Sequence, residues 1–114
     1  MLSYEERVQT TLTRVRELLL ANISQKAPEI HKPVGVIMPL PQGKHSILLS
    51  AERSEVREGW WRIQFGVFKQ GTDKLYSHFM FHGPEQDSRD WLANKENEQE
   101  LYNSCKQLMQ AVDR

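Results

Sequence analysis

The strongest constraint on folding in this chain lies in residues 59–83, where two runs of alternating side chains are joined by Gln70-Gly71-Thr72-Asp73. Strand side chains alternate with period two, so in the first run Trp61, Ile63, Phe65 and Val67 share one face and Trp60, Arg62, Gln64 and Gly66 the other. In the second run Leu75, Phe79 and Phe81 fall together, opposed by Tyr76, His78, Met80 and His82. Two such runs around a polar, glycine-containing tetrapeptide predict a β-hairpin. Pairing the two apolar sets brings Trp60, Arg62, Gln64, Tyr76, His78, Met80 and His82 onto a common second face. That face is more aromatic than an ordinary solvated surface, so the expectation is that something covers it.

The flanking segments read as two helices and a further hairpin. Val8, Leu12, Val15, Leu19 and Ile23 form one stripe of a helix over residues 3–23, and Ser3 with Glu6 fits a capping box at its start. Pro28 and Pro33 forbid its continuation. Residues 34–40 read as a strand that Pro39 and Pro41 confine to a sheet edge or exit, and residues 45–51 as its partner across Pro41-Gln42-Gly43-Lys44. Residues 52–58 alternate in charge and predict a solvated connector. After Gly83-Pro84, Asp87-Ser88 offers a helix cap, and Trp91, Leu92, Leu101, Cys105, Leu108 and Val112 mark an apolar stripe interrupted by the polar residues 94–100. A continuous helix is the preferred reading there, with a restart capped by Asn97 and Glu100 as the alternative.

The expected architecture is therefore α+β over residues 1–114 as one domain: an N-terminal helix, a four-stranded antiparallel β-meander and a C-terminal helix, both helices on one sheet face. Frataxin-like domains and several small chaperone-like domains share this coarse order. The first helix carries no dense acidic ridge of the frataxin kind, so the order assigns no family.

Composition narrows the function classes. Fifteen basic and fifteen acidic residues cancel, whereas sequence-independent phosphate binding draws its affinity from accumulated positive charge. Residues 26–82 carry eight Lys/Arg against five Asp/Glu and residues 83–114 four against seven, a weak dipole that salt screens over ~8 Å. The longest apolar run, residues 18–21, is far too short for a membrane span. One cysteine, Cys105, cannot form an intramolecular disulfide; with no basic-then-apolar leader at the start, a reducing cytoplasmic setting is expected.

Candidate chemistry is sparse. His78 and His82 on a strand would stand roughly 13 Å apart on one face, too far to share an ion, and no metal or cofactor is expected. Cys105 lies mid-helix between Leu101 and Leu108, where a packed thiol is expected rather than a nucleophile. No Ser has a nucleophile-elbow setting, and Glu85, Asp87 and Asp90 suit a helix start rather than a calcium loop. Trp61 is expected in the core; Trp60 either packs on the connector or contributes to a contact patch with Arg62, Gln64, Tyr76, His78, Met80 and His82, residue types enriched at interface centres. The leading expectation is a non-enzymatic module that binds a protein through this face, most simply a second copy of itself in a homodimer. The alternatives are single-stranded nucleic-acid binding, with Trp60 and Tyr76 stacking bases, and a small-molecule binder or enzyme with a pocket between sheet and helices using His78 or His82.

Overall fold

The two periodicities sort the chain as expected. The computed structural model describes residues 1–114 and contains helix α1 (Tyr4–Gln25), strands β1 (Val34–Pro39), β2 (His45–Arg53), β3 (Trp60–Lys69) and β4 (Leu75–Pro84), and helices α2 (Glu85–Ala93) and α3 (Glu98–Val112). The strands form one antiparallel sheet in the order β1-β2-β3-β4, a simple meander. All three helices pack on the same side of it, α1 over β1 and β2, α2 and α3 over β3 and β4.

Helix α1 begins at the expected serine with one half of the expected capping box, the Glu6 carboxylate making no bond to the Ser3 amide. The Ser3 hydroxyl accepts the Glu6 amide at 3.1 Å, and Glu5 and Glu6 in the first turn face the positive end of the macrodipole. Its stripe of Val8, Leu12, Val15, Leu19 and Ile23 is buried throughout. These residues meet Leu101, Cys105, Leu108 and Val112 of α3 and the inward side chains of β2 and β3 in one cluster of 19 buried hydrophobics. Trp61, Ile63, Phe65 and Val67 of β3 are all at most 2% exposed, as the alternation requires. Each such side chain contributes roughly 1.5–3 kcal/mol by leaving water.

The C-terminal segment departs from the expected continuous helix. It breaks at residue 94 into α2 and α3, joined by a 3-10 turn over Lys95–Asn97. The Asn94 carboxamide accepts the Glu96 amide at 3.0 Å, which diverts that donor from the Leu92 carbonyl, and the Asn97 side chain donates to the Trp91 carbonyl at 2.7 Å. The alternative box of Asn97 and Glu100 does not form, because the Asn97 side chain is engaged with Trp91 and makes no cap bond. The cap expected from Asp87-Ser88 is also displaced: α2 starts at Glu85 directly after Pro84, and the buried Ser88 hydroxyl lies within hydrogen-bonding distance of the Gly83 and Pro84 carbonyls.

Arg16, which sequence reasoning passed over as a charged position on α1, holds this junction. Its side chain is buried; Nη1 donates to the Leu92 carbonyl at 2.8 Å, and Nε and Nη2 donate to Glu98 Oε1 at 3.2 and 2.8 Å. One guanidinium thus satisfies a carbonyl at the end of α2 and a carboxylate in the first turn of α3. Truncating it strands both. We expect Arg16→Ala to lower folding stability by about 2–3 kcal/mol in a urea titration, less than for a fully buried pair because the Glu98 side chain keeps 20% exposure. Arg14→Ala, at an exposed position of the same helix, should stay within about 0.5 kcal/mol of the parent.

Candidate functional site

The second face of the hairpin depends on the pairing of β3 with β4, and that pairing contains an irregularity. Ile63 stands opposite Phe81, but Gln64 stands opposite Phe79, so Met80 has no partner and forms a β-bulge. Directly opposed residues share a face, and the extra residue exchanges the faces for the half of β4 preceding it. Leu75, Ser77 and Phe79 therefore join Phe68, Gly66 and Gln64 on the side away from the helices. Tyr76 and His78, opposite Val67 and Phe65, lie on the helix side.

This corrects the expected patch. Of its seven residues, Trp60, Arg62, Gln64 and His82 share the open face, while Tyr76, His78 and Met80 do not. His78 Nδ1 lies 3.4 Å from the Ser104 hydroxyl of α3, and that hydroxyl contacts the Met80 sulfur at 3.5 Å. The bulge places Met80 and Phe81 together against the core, where Phe81 stacks on Trp91 of α2 with ring centroids 6.1 Å apart. Gly83 makes room for that ring: a Cβ there would lie 2.7 Å from Phe81 Cε2. Leu75 and Phe79, expected inside, are 45% and 66% exposed. The signal was present in the run Phe79-Met80-Phe81, three successive apolar residues that no strict alternation accommodates.

The open face consists of rows across four strands. Pro39, Ser46, Phe68 and Leu75 form one row, Ile37, Leu48, Gly66 and Ser77 the next, and Gly35, Ser50, Gln64 and Phe79 the third. On its two central strands the small residues Ser46, Ser50 and Gly66 are interleaved with Leu48, Gln64 and Phe68. Ile37 is 62% exposed. Leu75 leans over β3, its Cδ1 3.1 Å from where a Gly66 Cβ would stand. Polar side chains on this face bond to one another: Gln64 Nε2 donates to Ser77 Oγ and Gln70 Nε2 to Ser46 Oγ, both at 2.6 Å.

The remaining rows are polar and already engaged. Arg62 pairs with Glu52 at 3.2 Å and lies 5.8 Å from the centroid of Phe79, with its Nε buried and unpaired. Trp60 is half-buried: the Arg57 guanidinium of the β2–β3 connector lies 4.1 Å over its ring and His82 meets it edge-on at 5.0 Å. This is the arrangement in which Trp60 packs on the connector. His82 Nε2 lies 2.9 Å from the buried Ser54 hydroxyl, which also accepts the Val56 amide at 3.3 Å, so the pair pins the connector to β4.

The four histidines are dispersed. His31 pairs with Glu55 at 2.7 Å in the exposed loops, and His45, buried at the start of β2, meets Asp113 beyond α3 at 2.9 Å. His78 and His82 lie on opposite faces of β4, not on the one face expected, so no substrate on one side of the sheet meets both. Trp60 and Tyr76 are likewise on opposite faces and cannot stack successive bases together. No three His, Cys, Asp or Glu side chains converge on one point. A groove of about 290 Å³ between α1 and α3, lined by Tyr4, Val8, Tyr102, Cys105 and Met109, runs over the outside of the helix layer rather than between helices and sheet. No helix is long and apolar enough to cross a membrane. Comparison with protein-family models, with curated proteins and with solved structures gives no match.

Four groups titrate away from their ordinary values; Tyr4 and Tyr102 are raised, chiefly by burial, and the other two report on packing. Burial pushes the Cys105 thiol up to about 12. We expect Cys105 to resist iodoacetamide at pH 8 in the native protein and to react once the chain is unfolded in urea; native labelling at the rate of a free thiol would contradict its packing. The Asp113 carboxyl is held below the usual carboxylate range by the hydrogen bond from His45, against opposing desolvation, with Lys69 at 3.5 Å adding to the lowering. A carboxyl whose folded pKa is depressed contributes stability above its unfolded pKa, about 3.9, and loses it as pH falls through the folded value. Asp113→Asn should therefore flatten the loss of stability below about pH 4 in urea titrations, whereas an unchanged acid limb would show that this pairing contributes nothing.

Proposed function

We propose that this chain is a non-enzymatic protein-interaction module that associates with a second copy of itself through the open face of its sheet. The observation that carries this reading is the exposure of Ile37, Leu75 and Phe79, at 62%, 45% and 66%, on a sheet side over which the chain places no helix. Ile37 stands on β1 and Leu75 and Phe79 on β4, at the two borders of this face, and side chains of this size lose solvent contact favourably against another apolar surface. A copy of the same face supplies one, with the Glu52–Arg62 pair at its polar margin. The lone buried thiol of Cys105 suits a reducing cytoplasmic setting for such a module.

The size of the face sets the strength of the contact. Four strands at ~4.8 Å spacing and about eight residues of strand at ~3.3 Å each give roughly 500 Å² of projected surface. A standard interface removes ~800 Å² of accessible surface per partner, so a face of this extent supports a dimer that dissociates on dilution.

Light scattering across a dilution series tests the proposal. The mass should exceed 13.4 kDa at high concentration and fall towards it on dilution. Ile37→Glu, at a position too exposed to support the fold, should lower the mass at every concentration while leaving the thermal midpoint within a few degrees of the parent. A variant that keeps the parent mass would remove the face from the assembly. Met80→Glu is not a test of this surface, since Met80 packs under α3.

A further inference from the structure

The open face is bordered by two sheet edges that differ in chemistry. Leu40 donates its amide to the His45 carbonyl at 2.8 Å, which makes that pair a hydrogen-bonded one. In an antiparallel ladder such pairs alternate, so in β1 the backbone groups of Gly35, Ile37 and Pro39 point away from β2. Pro39 has no amide to offer a further strand, and Pro33 stands immediately before β1. A proline at each end of a short edge strand is a device that obstructs pairing with another chain.

Before its bulge, over residues 75–79, the β4 edge lacks that protection. Lys69 donates to the Lys74 carbonyl at 3.1 Å, so counting along the register turns the amides and carbonyls of Leu75, Ser77 and Phe79 outward. Within the chain no backbone or side-chain group takes these hydrogen bonds. The segment Leu-Tyr-Ser-His-Phe contains no proline, lysine, arginine or carboxylate, and Leu75, Tyr76 and Phe79 are all exposed. Unpaired ladder groups in an uncharged, aromatic strand are a template for another strand.

We infer that the free edge of β4 pairs antiparallel with β4 of a second copy, in the register centred on Ser77. This register sets Ser77 opposite itself and Leu75 opposite Phe79 of the other copy, so all three outward-facing residues of each chain find partners, with about six backbone hydrogen bonds formed. On the open face it places Leu beside Phe on both sides of the two-fold axis, and on the helix side it places Tyr76 beside His78. The pattern is self-complementary, so a second copy satisfies every outward backbone group of residues 75–79 and pairs Leu with Phe twice. The axis of an antiparallel pair is perpendicular to the sheet, so the two open faces lie on the same side and continue one another. Edge pairing is thus a separate interface from face stacking; used together, they close a tetramer of two stacked eight-stranded sheets.

Ser77→Pro tests the inference: it removes an outward amide and no backbone bond to β3, its other loss being the exposed Gln64 Nε2–Ser77 Oγ hydrogen bond, and cooperative melting with a parental circular dichroism spectrum establishes that the variant folds. The expected result is a lower mass by light scattering than the parent at matched concentration, in both the parental and the Ile37→Glu backgrounds. A mass lowered by Ser77→Pro and not by Ile37→Glu keeps the edge and removes the face. One lowered by Ile37→Glu and not by Ser77→Pro overturns the edge, and a parent that is monomeric throughout overturns both. Ser77→Cys reads the register without proline, because hydrogen-bonded partners stand ~5.5 Å apart at Cα, within disulfide reach. Under mild oxidation it should yield a covalent dimer, while Asp73→Cys, roughly 26 Å from its counterpart in this register, should not. Failure of Ser77→Cys to cross-link would also overturn the inference.

Discussion

The constraint on which the rest of this molecule depends is that its helices cover one side of the sheet only. Trp61, Ile63, Phe65 and Val67 of β3 are pressed under α2 and α3, and each is worth roughly 1.5–3 kcal/mol to the folded state. A slip of one residue would turn this set to solvent, so burial locks the phase of β3 and, through the ladders, of β2 and β1. The same lock determines what is left outside. Once those four face the helices, Trp60, Arg62, Gln64, Gly66 and Phe68 face away, on the side over which no helix packs.

Against that fixed strand, β4 shows packing prevailing over regular pairing. A strict ladder would have delivered Phe79 and Phe81 inward together and left Met80 out. The bulge gives up one ladder position, and in return Met80 and Phe81 both reach the helix layer, against Ser104 and Trp91. The consequence is felt toward the free end of β4, where Leu75 and Phe79 are expelled onto the open face and Tyr76 and His78 are drawn beside α3. One inserted residue thereby converts a face expected to be rich in His and Tyr into a largely aliphatic and Phe-lined one, and it separates His78 from His82.

The helix layer has its own organising contact. A helix continued through residues 94–100 would carry a wholly polar turn with no buried stripe to hold it. Instead Asn94 ends the hydrogen-bond run, and the buried guanidinium of Arg16 accepts the geometric consequences by bonding to Leu92 and Glu98 at once. Three helices are thus joined through a single charged side chain, which orients α3 so that Leu101, Cys105, Leu108 and Val112 meet α1 and β3. A charge so placed stabilises only while both partners are present, and it specifies one helix arrangement.

Order and type of elements, the antiparallel meander, the buried stripes of α1 and α3, the edge position of β1 and the inward face of β3 were all legible in the amino-acid sequence. Each rests on local information: the period of the apolar pattern, a capping hydroxyl, a proline without an amide. Four features were not legible in that way. The phase of β4 was decided by the fit of Met80 and Phe81 against helices remote in sequence, although Phe79-Met80-Phe81 hinted at a break. The bend at Asn94 was decided by which backbone groups the Asn94 and Asn97 side chains take up, and the role of Arg16 by partners more than 70 residues away along the chain. The membership of the candidate site followed from the bulge, which re-phases residues 75–79 of β4. Local periodicity determines which side chains can lie together, but a change of phase within a strand is selected by the volume and bonding available in the assembled core, and only the tertiary structure contains that.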